Sequence, residues 1–168
     1  MKRTASGEPS RTSQCRGDGM DQNKENTGID ELTLARNSFL ISRTKRMIAS
    51  QIRVEEEPDG SLTGFYMDFF LQICFSPLHP LMILALSKPF YLPLNINLYR
   101  ALNRVNLHSI LGSHTVSDEV GCYSFRLTQW LLSPLTEQQF QQMLDRSVSE
   151  AQKALATLNP EPKKEGST

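Results

Sequence analysis

The clearest pattern of apolar and polar positions lies near the end of the chain. Apolar residues recur there at steps of three and four, which predicts a helix with one buried face formed by Phe140, Met143, Leu144, Val148, Ala151, Leu155 and Leu158. Thr136, with Gln139 three residues later, matches a capping box, so this helix is predicted to begin directly after Thr136.

A second helix and a hairpin are predicted just upstream. The helix runs from Ile96 to about Leu111, with Asn95 as its N-cap and Gly112 closing it, and its apolar face carries Leu98, Leu102 and Val105. Alternating residues around a polar turn at 117–121 then predict two strands, His114–Val116 and Cys122–Leu132.

The first half of the chain predicts one helix followed by strands. Asp30 is a suitable N-cap for a helix from Leu32 to Ile48, which we expect to be interrupted near Asn37 because several weak helix formers cluster there. A short strand is predicted around Ile52 and Val54, where apolar and charged residues alternate.

A long aromatic segment, Leu62–Phe75, follows the Pro58-Asp59-Gly60 turn and is predicted to form one strand. Its nearly continuous hydrophobicity indicates either cover on both faces or a dimer contact on one. Another strand is predicted over Leu81–Leu86. Because prolines break the apolar stretch between these strands, no membrane-spanning helix is expected.

These elements predict an α+β fold in the order α-β-β-β-α-β-β-α. Its antiparallel sheet of about five strands would be flanked by three helices, and the absence of a glycine fingerprint argues against βαβ units. The folded domain is predicted to span residues 28–158. Residues 1–27 and 159–168 are polar and poor in large apolar side chains, so both are expected to be disordered tails.

Composition narrows the compartment and the class of partner. The formal net charge is zero, so nothing in the overall charge points to nucleic acid. Three cysteines without paired spacing are typical of a reducing compartment, and the residues after Met1 lack the apolar run of a secretory signal. We therefore expect a cytoplasmic protein.

No constellation of catalytic or metal-binding residues is evident in the sequence. The three histidines lack cysteine or carboxylate partners at metal spacing, and no serine stands in a nucleophile elbow. A non-enzymatic protein without catalytic residues, metal or cofactor is therefore expected. A weaker alternative is a small hydrolase whose site assembles from distant residues such as His108, Ser113 and Asp118.

The segment from Thr33 to Val54 is purely basic and is a candidate anion-binding region. It carries Arg36, Arg43, Lys45, Arg46 and Arg53. Such a segment could bind an acidic protein, a lipid headgroup or a nucleic acid, which defines the alternative function of a nucleic-acid-associated regulator. A solvated helix face is the favoured interpretation, because no aromatic residues suited to base stacking appear between the basic ones.

Five aromatic residues are candidates for binding a protein partner: Phe65, Phe69, Phe90, Tyr91 and Trp130. Phe90 and Tyr91 stand between Pro89 and Pro93, a rigid frame that would favour docking if it is exposed and would act as a lid on the core if it is buried. Trp130 could play either role.

The sequence from Met67 onward resembles the YbjN-like bacterial family, a group labelled as sensory-transduction regulators. The resemblance is carried at the level of motifs by 94–158, in Leu98-Tyr99-Arg100-Ala101-Leu102-Asn103-Arg104-Val105-Asn106, Cys122-Tyr123-Ser124-Phe125-Arg126-Leu127 and Leu135-Thr136-Glu137-Gln138-Gln139-Phe140. It implies the fold of type III secretion chaperones, which is often dimeric and acts by protein contact.

The sequence as a whole therefore predicts a non-enzymatic protein-binding module, chaperone-like or regulatory, that acts through an apolar surface of its sheet and helices. Its expected partner is another protein or a second copy of itself. The large apolar strand would favour a homodimer with Phe65, Phe69 or Tyr91 in the interface, since an exposed surface of this kind promotes aggregation when it is left unpaired.

Overall fold

The computed structural model describes residues 30–159 except 77, 94 and 118. In this part of the chain it contains three helices and six strands: α1 (Glu31–Gln51), β1 (Val54–Glu56), β2 (Leu62–Tyr66), β3 (Phe69–Ser76), β4 (Leu81–Pro89), α2 (Ile96–His108), β5 (Ser113–Ser117), β6 (Cys122–Trp130) and α3 (Glu137–Leu158). The tails predicted for 1–27 and 159–168 lie outside the described residues, except for Asn159, which is the C-cap of α3.

The six strands form one antiparallel sheet in the order β1-β2-β3-β4-β6-β5. Residues paired across neighbouring strands point to the same side of the sheet. One side carries a continuous set of buried side chains that includes Leu71, Leu86 and Phe125, where Leu71 pairs with Leu86 and Leu86 with Phe125. This side faces the helices and forms the core.

The three helices all pack against this inner side. Helix α3 lies in the middle, where it contacts β4 and β6, with α1 and α2 beside it. On one flank, Lys45 of α1 reaches over the Phe75 ring of β3, 5.5 Å from its centroid. On the other, the Asn106 side chain of α2 accepts a hydrogen bond from the His114 backbone N–H and donates one to its carbonyl, which fixes α2 against β5.

Helix starts follow the capping residues that the sequence indicates. Asp30 accepts a hydrogen bond from the Thr33 N–H, and Asn95 accepts from Asn97 and Leu98. Thr136 and Gln139 form the complete capping box at the start of α3. These predictions are confirmed, because a cap requires only local residues that satisfy the first free N–H groups.

The single long strand predicted over 62–75 is wrong. The chain reverses at Met67 and Asp68 and forms a β2–β3 hairpin, in which Phe65 pairs with Phe70 and Tyr66 with Phe69. Met67 adopts φ +52°, a left-handed conformation that methionine rarely takes. The turn contains neither glycine nor asparagine, and Asp68 is its one residue of a turn-favouring type. The reversal gives the sheet its sixth strand.

Two predictions about the helices are also wrong, one about a break in α1 and one about the end of α2. Helix α1 continues without a break through Asn37, whose buried side chain donates a hydrogen bond to the Leu78 carbonyl, 3.3 Å away. Helix α2 ends at His108 instead of Leu111, and Ser109 is its C-cap. Gly112 has a packing role, since a Cβ there would collide with the Arg126 backbone oxygen and the Phe125 ring.

The predicted fold class is confirmed. The chain forms an α+β domain with three helices on one side of an antiparallel sheet, with six strands where about five were predicted. The hairpin of β5 and β6 and the amphipathic α3 lie close to their predicted positions.

Candidate functional site

The outer side of the sheet is the most distinctive surface of the molecule, because no helix in the described part of the chain covers it. Its side chains belong to the strand positions that alternate with the buried core positions. Seven of them form a diagonal apolar band across β2, β3, β4 and β6, consisting of Phe65, Phe70, Cys74, Ile83, Ala85, Leu81 and Trp130. We call this surface the outer band.

One end of the outer band is an aromatic pair. Phe65 of β2 and Phe70 of β3 are cross-strand partners whose rings meet edge to face, with centroids 5.7 Å apart. Phe65 is 75 % exposed and Phe70 is 41 % exposed. A cavity of about 430 Å³ adjoins the pair and extends along β1 and β2, past the paired residues Val54 and Gly64. This end therefore offers both an apolar ridge and a recess beside it.

The other end of the outer band is formed by Trp130. This residue is the cross-strand partner of Leu81, and its ring lies edge to face with His79 at a centroid distance of 6.1 Å. Trp130 is 53 % exposed. Its indole can therefore contact a partner while its position stays fixed by the strand.

Two of the five aromatic residues predicted to bind a protein partner, Phe69 and Phe90, do not lie at the surface. Phe69 is fully buried, because it lies on the inner side of β3 under the helices. Phe90 is 6 % exposed and packs into the core, so it acts as a lid. Phe65, Trp130 and Tyr91, which is 85 % exposed, do lie at the surface.

Phe70 was missed by the sequence analysis. Once the chain turns at Met67 and Asp68, the alternation in β3 restarts and directs Phe70 outward instead of Phe69. Recognition of that turn would have identified Phe70, and Asp68, the one charged residue in 62–76, was the signal for it.

The predicted basic segment does not form one surface. Lys45 points toward the sheet, where its Nζ lies 2.6 Å from a Glu56 carboxylate oxygen. Arg36, Arg43 and Arg46 are exposed along the outer face of α1, and Arg53 is exposed where the chain approaches β1. Phe39 is 57 % exposed, three residues after Arg36 and four before Arg43. An aromatic residue thus does interleave with the arginines, contrary to the sequence analysis.

A polar cluster that the sequence did not predict lies between α2, α3 and β5. The His114 side chain is completely buried; its Nδ1 lies 2.7 Å from the Tyr123 hydroxyl and its Nε2 lies 3.5 Å from Glu150 Oε1. Ser109 Oγ contacts both the Gly112 carbonyl oxygen, at 2.6 Å, and Glu150 Oε1. These residues are distant in sequence, so no spacing could reveal the cluster.

Burial governs the ionisation of this cluster. Desolvation lowers the pKa of His114, and the nearby Glu150 carboxylate opposes that shift. Burial, together with Glu150, raises the pKa of Tyr123 well above its ordinary value, so the phenol keeps its proton. We assign the Tyr123 O–H as the donor to Nδ1, which leaves the ring proton of a neutral His114 on Nε2.

The cluster does not have the geometry of a serine nucleophile with its base. Ser109 and His114 each contact Glu150, so the carboxylate stands between them, whereas a catalytic serine needs the histidine beside its hydroxyl. Of the residues considered for a hydrolase, His108 and Ser113 are exposed, and Asp118 lies outside the described residues.

Two further properties concern metals and membranes. Within the described part of the chain, no three histidine, cysteine, aspartate or glutamate side chains stand close enough together to hold a metal ion. No helix in that part is long and apolar enough to cross a membrane.

Comparison with known proteins confirms the predicted type III secretion chaperone-like fold but identifies no family. No family model matches the chain, and no curated protein matches it by sequence, so the YbjN-like assignment stays a prediction. Among solved structures, a chain of the HopA1–SchA chaperone–effector complex is similar with a TM-score of 0.50 and 9 % identity, covering 74 % of this chain and 96 % of that one.

A second structural neighbour is a chain from the crystal structure of the Yersinia pestis type III secretion chaperone SycH in complex with a stable fragment of YscM2. Its TM-score is 0.49 and its identity 12 %, covering 68 % of this chain and 98 % of that one.

Proposed function

We propose that this protein is a non-enzymatic protein-binding module, chaperone-like or regulatory, whose binding surface is the outer band. The observation that carries the proposal is the exposure of Phe65, Phe70 and Trp130 on a sheet face that no described helix covers. Exposed apolar surface that is contiguous and bounded by polar residues is characteristic of protein interaction sites.

The position of the outer band on the sheet supports this proposal. Aromatic residues held by paired strands lose little conformational freedom on binding, so they provide contact area at low entropic cost. Toward β5 the same face of the sheet becomes polar, with Thr115, Ser124 and Arg126 beside the outer band. An apolar centre with a polar margin is the usual composition of a protein interface.

The fold is consistent with this function. A chain of similar fold comes from a complex whose members are described as a chaperone and an effector. Membership of the YbjN-like family and a cytoplasmic location are part of the same proposal, as is the division into a domain at 28–158 with disordered tails.

The simplest protein partner is a second copy of this chain. A two-fold axis at the Phe65 end of the sheet would bring two aromatic pairs together and cover them, and exposed Tyr91 would lie in or near the same interface. Phe69, which was also predicted for the interface, is excluded because it is buried.

Light scattering at micromolar concentration tests the homodimer. We expect the mass of a dimer for the unmodified chain and of a monomer for Phe65→Ser. Tyr99→Ser is the matched control, because Tyr99 is an exposed aromatic residue on α2 rather than on the sheet. A monomeric unmodified chain, or dissociation by Tyr99→Ser alone, would contradict an interface at Phe65.

Binding of another protein is tested by comparative purification from the native host. A partner that uses the outer band should co-purify with the unmodified chain and with Tyr99→Ser, and should be lost from the double variant Phe65→Ser, Trp130→Ser. Circular dichroism must show that the double variant is folded. Equal recovery of every partner by all three proteins would refute the outer band as the binding surface.

A second candidate function is binding to nucleic acid through α1, as a nucleic-acid-associated regulator. It is favoured by Phe39, which stands exposed among Arg36, Arg43 and Arg46 and could stack on a base. An electrophoretic shift with generic RNA and DNA at low and moderate salt tests this. Steeply salt-dependent binding that Phe39→Ser weakens would support it, and no shift at low salt would exclude it.

A further inference from the structure

A large cavity lies on the opposite side of the molecule from the outer band. It occupies about 780 Å³ between α2, α3 and the segment that leads into β5. This volume is within the range of sites that hold small organic ligands, roughly 300–1,000 Å³. The cavity does not take part in the proposed protein-binding surface.

The cavity has an apolar lining made by residues from both helices. Ala101 and Val105 line it from α2, Ala154 from α3 and Leu111 from the segment before β5. Ile110 is 91 % exposed where the cavity opens to solvent. A ligand could therefore bury an apolar body in the cavity and gain free energy in proportion to the area removed from water.

Three cations also line the cavity, and none of them is paired with an acidic side chain of the described residues. Arg104 comes from α2, and Arg146 and Lys153 come from α3. None of the three makes an ion pair within the described part of the chain. Glu150 is the only acidic residue in the described lining, and its own contacts are to Ser109 and His114. The lining therefore has a positive excess.

The inner wall of the cavity holds an unsatisfied buried donor. His114 lines the cavity, and its Nε2 is inaccessible to solvent and has no hydrogen bond among the described residues, since Glu150 Oε1 lies 3.5 Å away. A buried polar atom without a partner is costly, and a bound ligand, ion or water is one of the physical reasons for which a native fold retains it. This donor is independent of the cations.

We propose that the cavity binds a small amphipathic organic carboxylate. The apolar body of the ligand would pack against Ala101, Val105 and Ala154, and its carboxylate would pair with Arg104, Arg146 or Lys153. Arg104, Arg146 and Lys153 are exposed at the rim of the cavity. Charge-assisted hydrogen bonds to arginine are stronger than neutral ones, which selects an anion over a neutral molecule of the same shape.

The experiment uses octanoate as the probe and the full chain labelled with ¹⁵N. Titration followed by amide NMR should show saturable shifts at Val105, Leu111 and Ala154. Octan-1-ol has the same apolar body without the charge and should bind about tenfold more weakly, which corresponds to one lost charge-assisted contact. Acetate, which has the charge without the body, should produce no saturable shift.

Substitutions of the lining cations then distinguish octanoate binding in the cavity from nonspecific attraction of the anion to the protein surface. Arg146→Gln and Lys153→Gln should each weaken octanoate binding by about threefold to tenfold. Arg100→Gln is the matched control, because Arg100 is an exposed arginine of α2 that does not line the cavity. It should leave the affinity unchanged.

Several outcomes would overturn the proposal: no saturable shift at millimolar octanoate, equal binding of octan-1-ol, equal loss in Arg100→Gln, or shifts confined to the outer band. Failure here would leave the proposed protein-binding function intact, because that function is tested on the opposite face by Phe65 and Trp130.

Discussion

Phe140 illustrates how one side chain contributes to the stability of this domain. It lies in the first turn of α3 with no solvent exposure and belongs to the cluster shared by the sheet and the helices. Gln142, two positions later on the same helix, is exposed. Because the two residues share a helix and differ in burial, alanine substitutions at the two positions distinguish the contribution of core packing to stability from that of helix propensity.

We predict that Phe140→Ala lowers the free energy of unfolding by about 3–5 kcal/mol, the usual cost of an aromatic-sized void in a core. Gln142→Ala should change it by less than about 0.5 kcal/mol. Urea unfolding followed by circular dichroism measures both. Equal effects of the two substitutions would mean that α3 packs with a different rotational phase.

The buried His114 makes stability depend on pH. Because burial lowers its pKa in the folded chain below the ordinary value of 6.5, the unfolded chain takes up the proton more readily. Stability should therefore be greatest above pH 6.5 and should fall, by at most about 1.4 kcal/mol per pH unit, as the pH decreases toward the folded-state pKa.

Urea unfolding between pH 7.5 and 5.5 checks this prediction. His114→Gln should unfold more easily at every pH, since it loses the contact with Tyr123, but its stability should change less steeply with pH. His108→Gln, at an exposed position of α2, serves as the control and should keep the slope of the unmodified chain. An unchanged slope in His114→Gln would show that other groups cause the acid sensitivity.

At the scale of elements, the β2–β3 hairpin controls which aromatic residues are presented. Its turn holds Met67 at φ +52°, where the side chain is 68 % exposed and contributes little packing. Left-handed backbone costs a non-glycine residue about 1–2 kcal/mol, less for asparagine and more for a β-branched residue. The hairpin therefore forms despite an unfavourable local preference.

We predict that Met67→Val lowers stability by about 1 kcal/mol because a β-branched side chain tolerates this conformation poorly, whereas Met67→Asn is neutral or stabilising by about 0.5 kcal/mol. Thermal unfolding of both variants checks this. If valine is tolerated as well as asparagine, the positive φ at Met67 does not limit the hairpin.

At the scale of the whole molecule, the three helices lie on one side of the sheet and leave the outer band to solvent. In the described domain the inner side buries large side chains from every strand except β1. A single set of helices can cover only one side of such a sheet, so the alternating residues on the other side determine what the molecule can bind.

The domain boundary leads to a prediction about folding. Because residues 1–27 contain no large apolar residue other than methionine, we predict that a chain beginning at Gly28 unfolds at nearly the same urea midpoint as the full chain. A loss of more than about 2 kcal/mol would show that residues 1–27 pack on the domain.

Local signals in the sequence determined the helix caps, the amphipathic α3, the β5–β6 hairpin and the α+β class. The caps, the helix and the hairpin each depend on residues that are close together in the sequence, and the class follows from the order of these elements. Tertiary structure alone decided the rest. The sheet imposes the turn at Met67, which directs Phe70 outward and Phe69 inward.

The same holds for the buried cluster of His114, Tyr123 and Glu150, which unites residues from two strands and a helix. In β6 the alternation along the chain indicates the covered face. In β2 and β3 the apolar run is nearly continuous, so there the covered face follows from the turn at Met67 and from the packing of the helices.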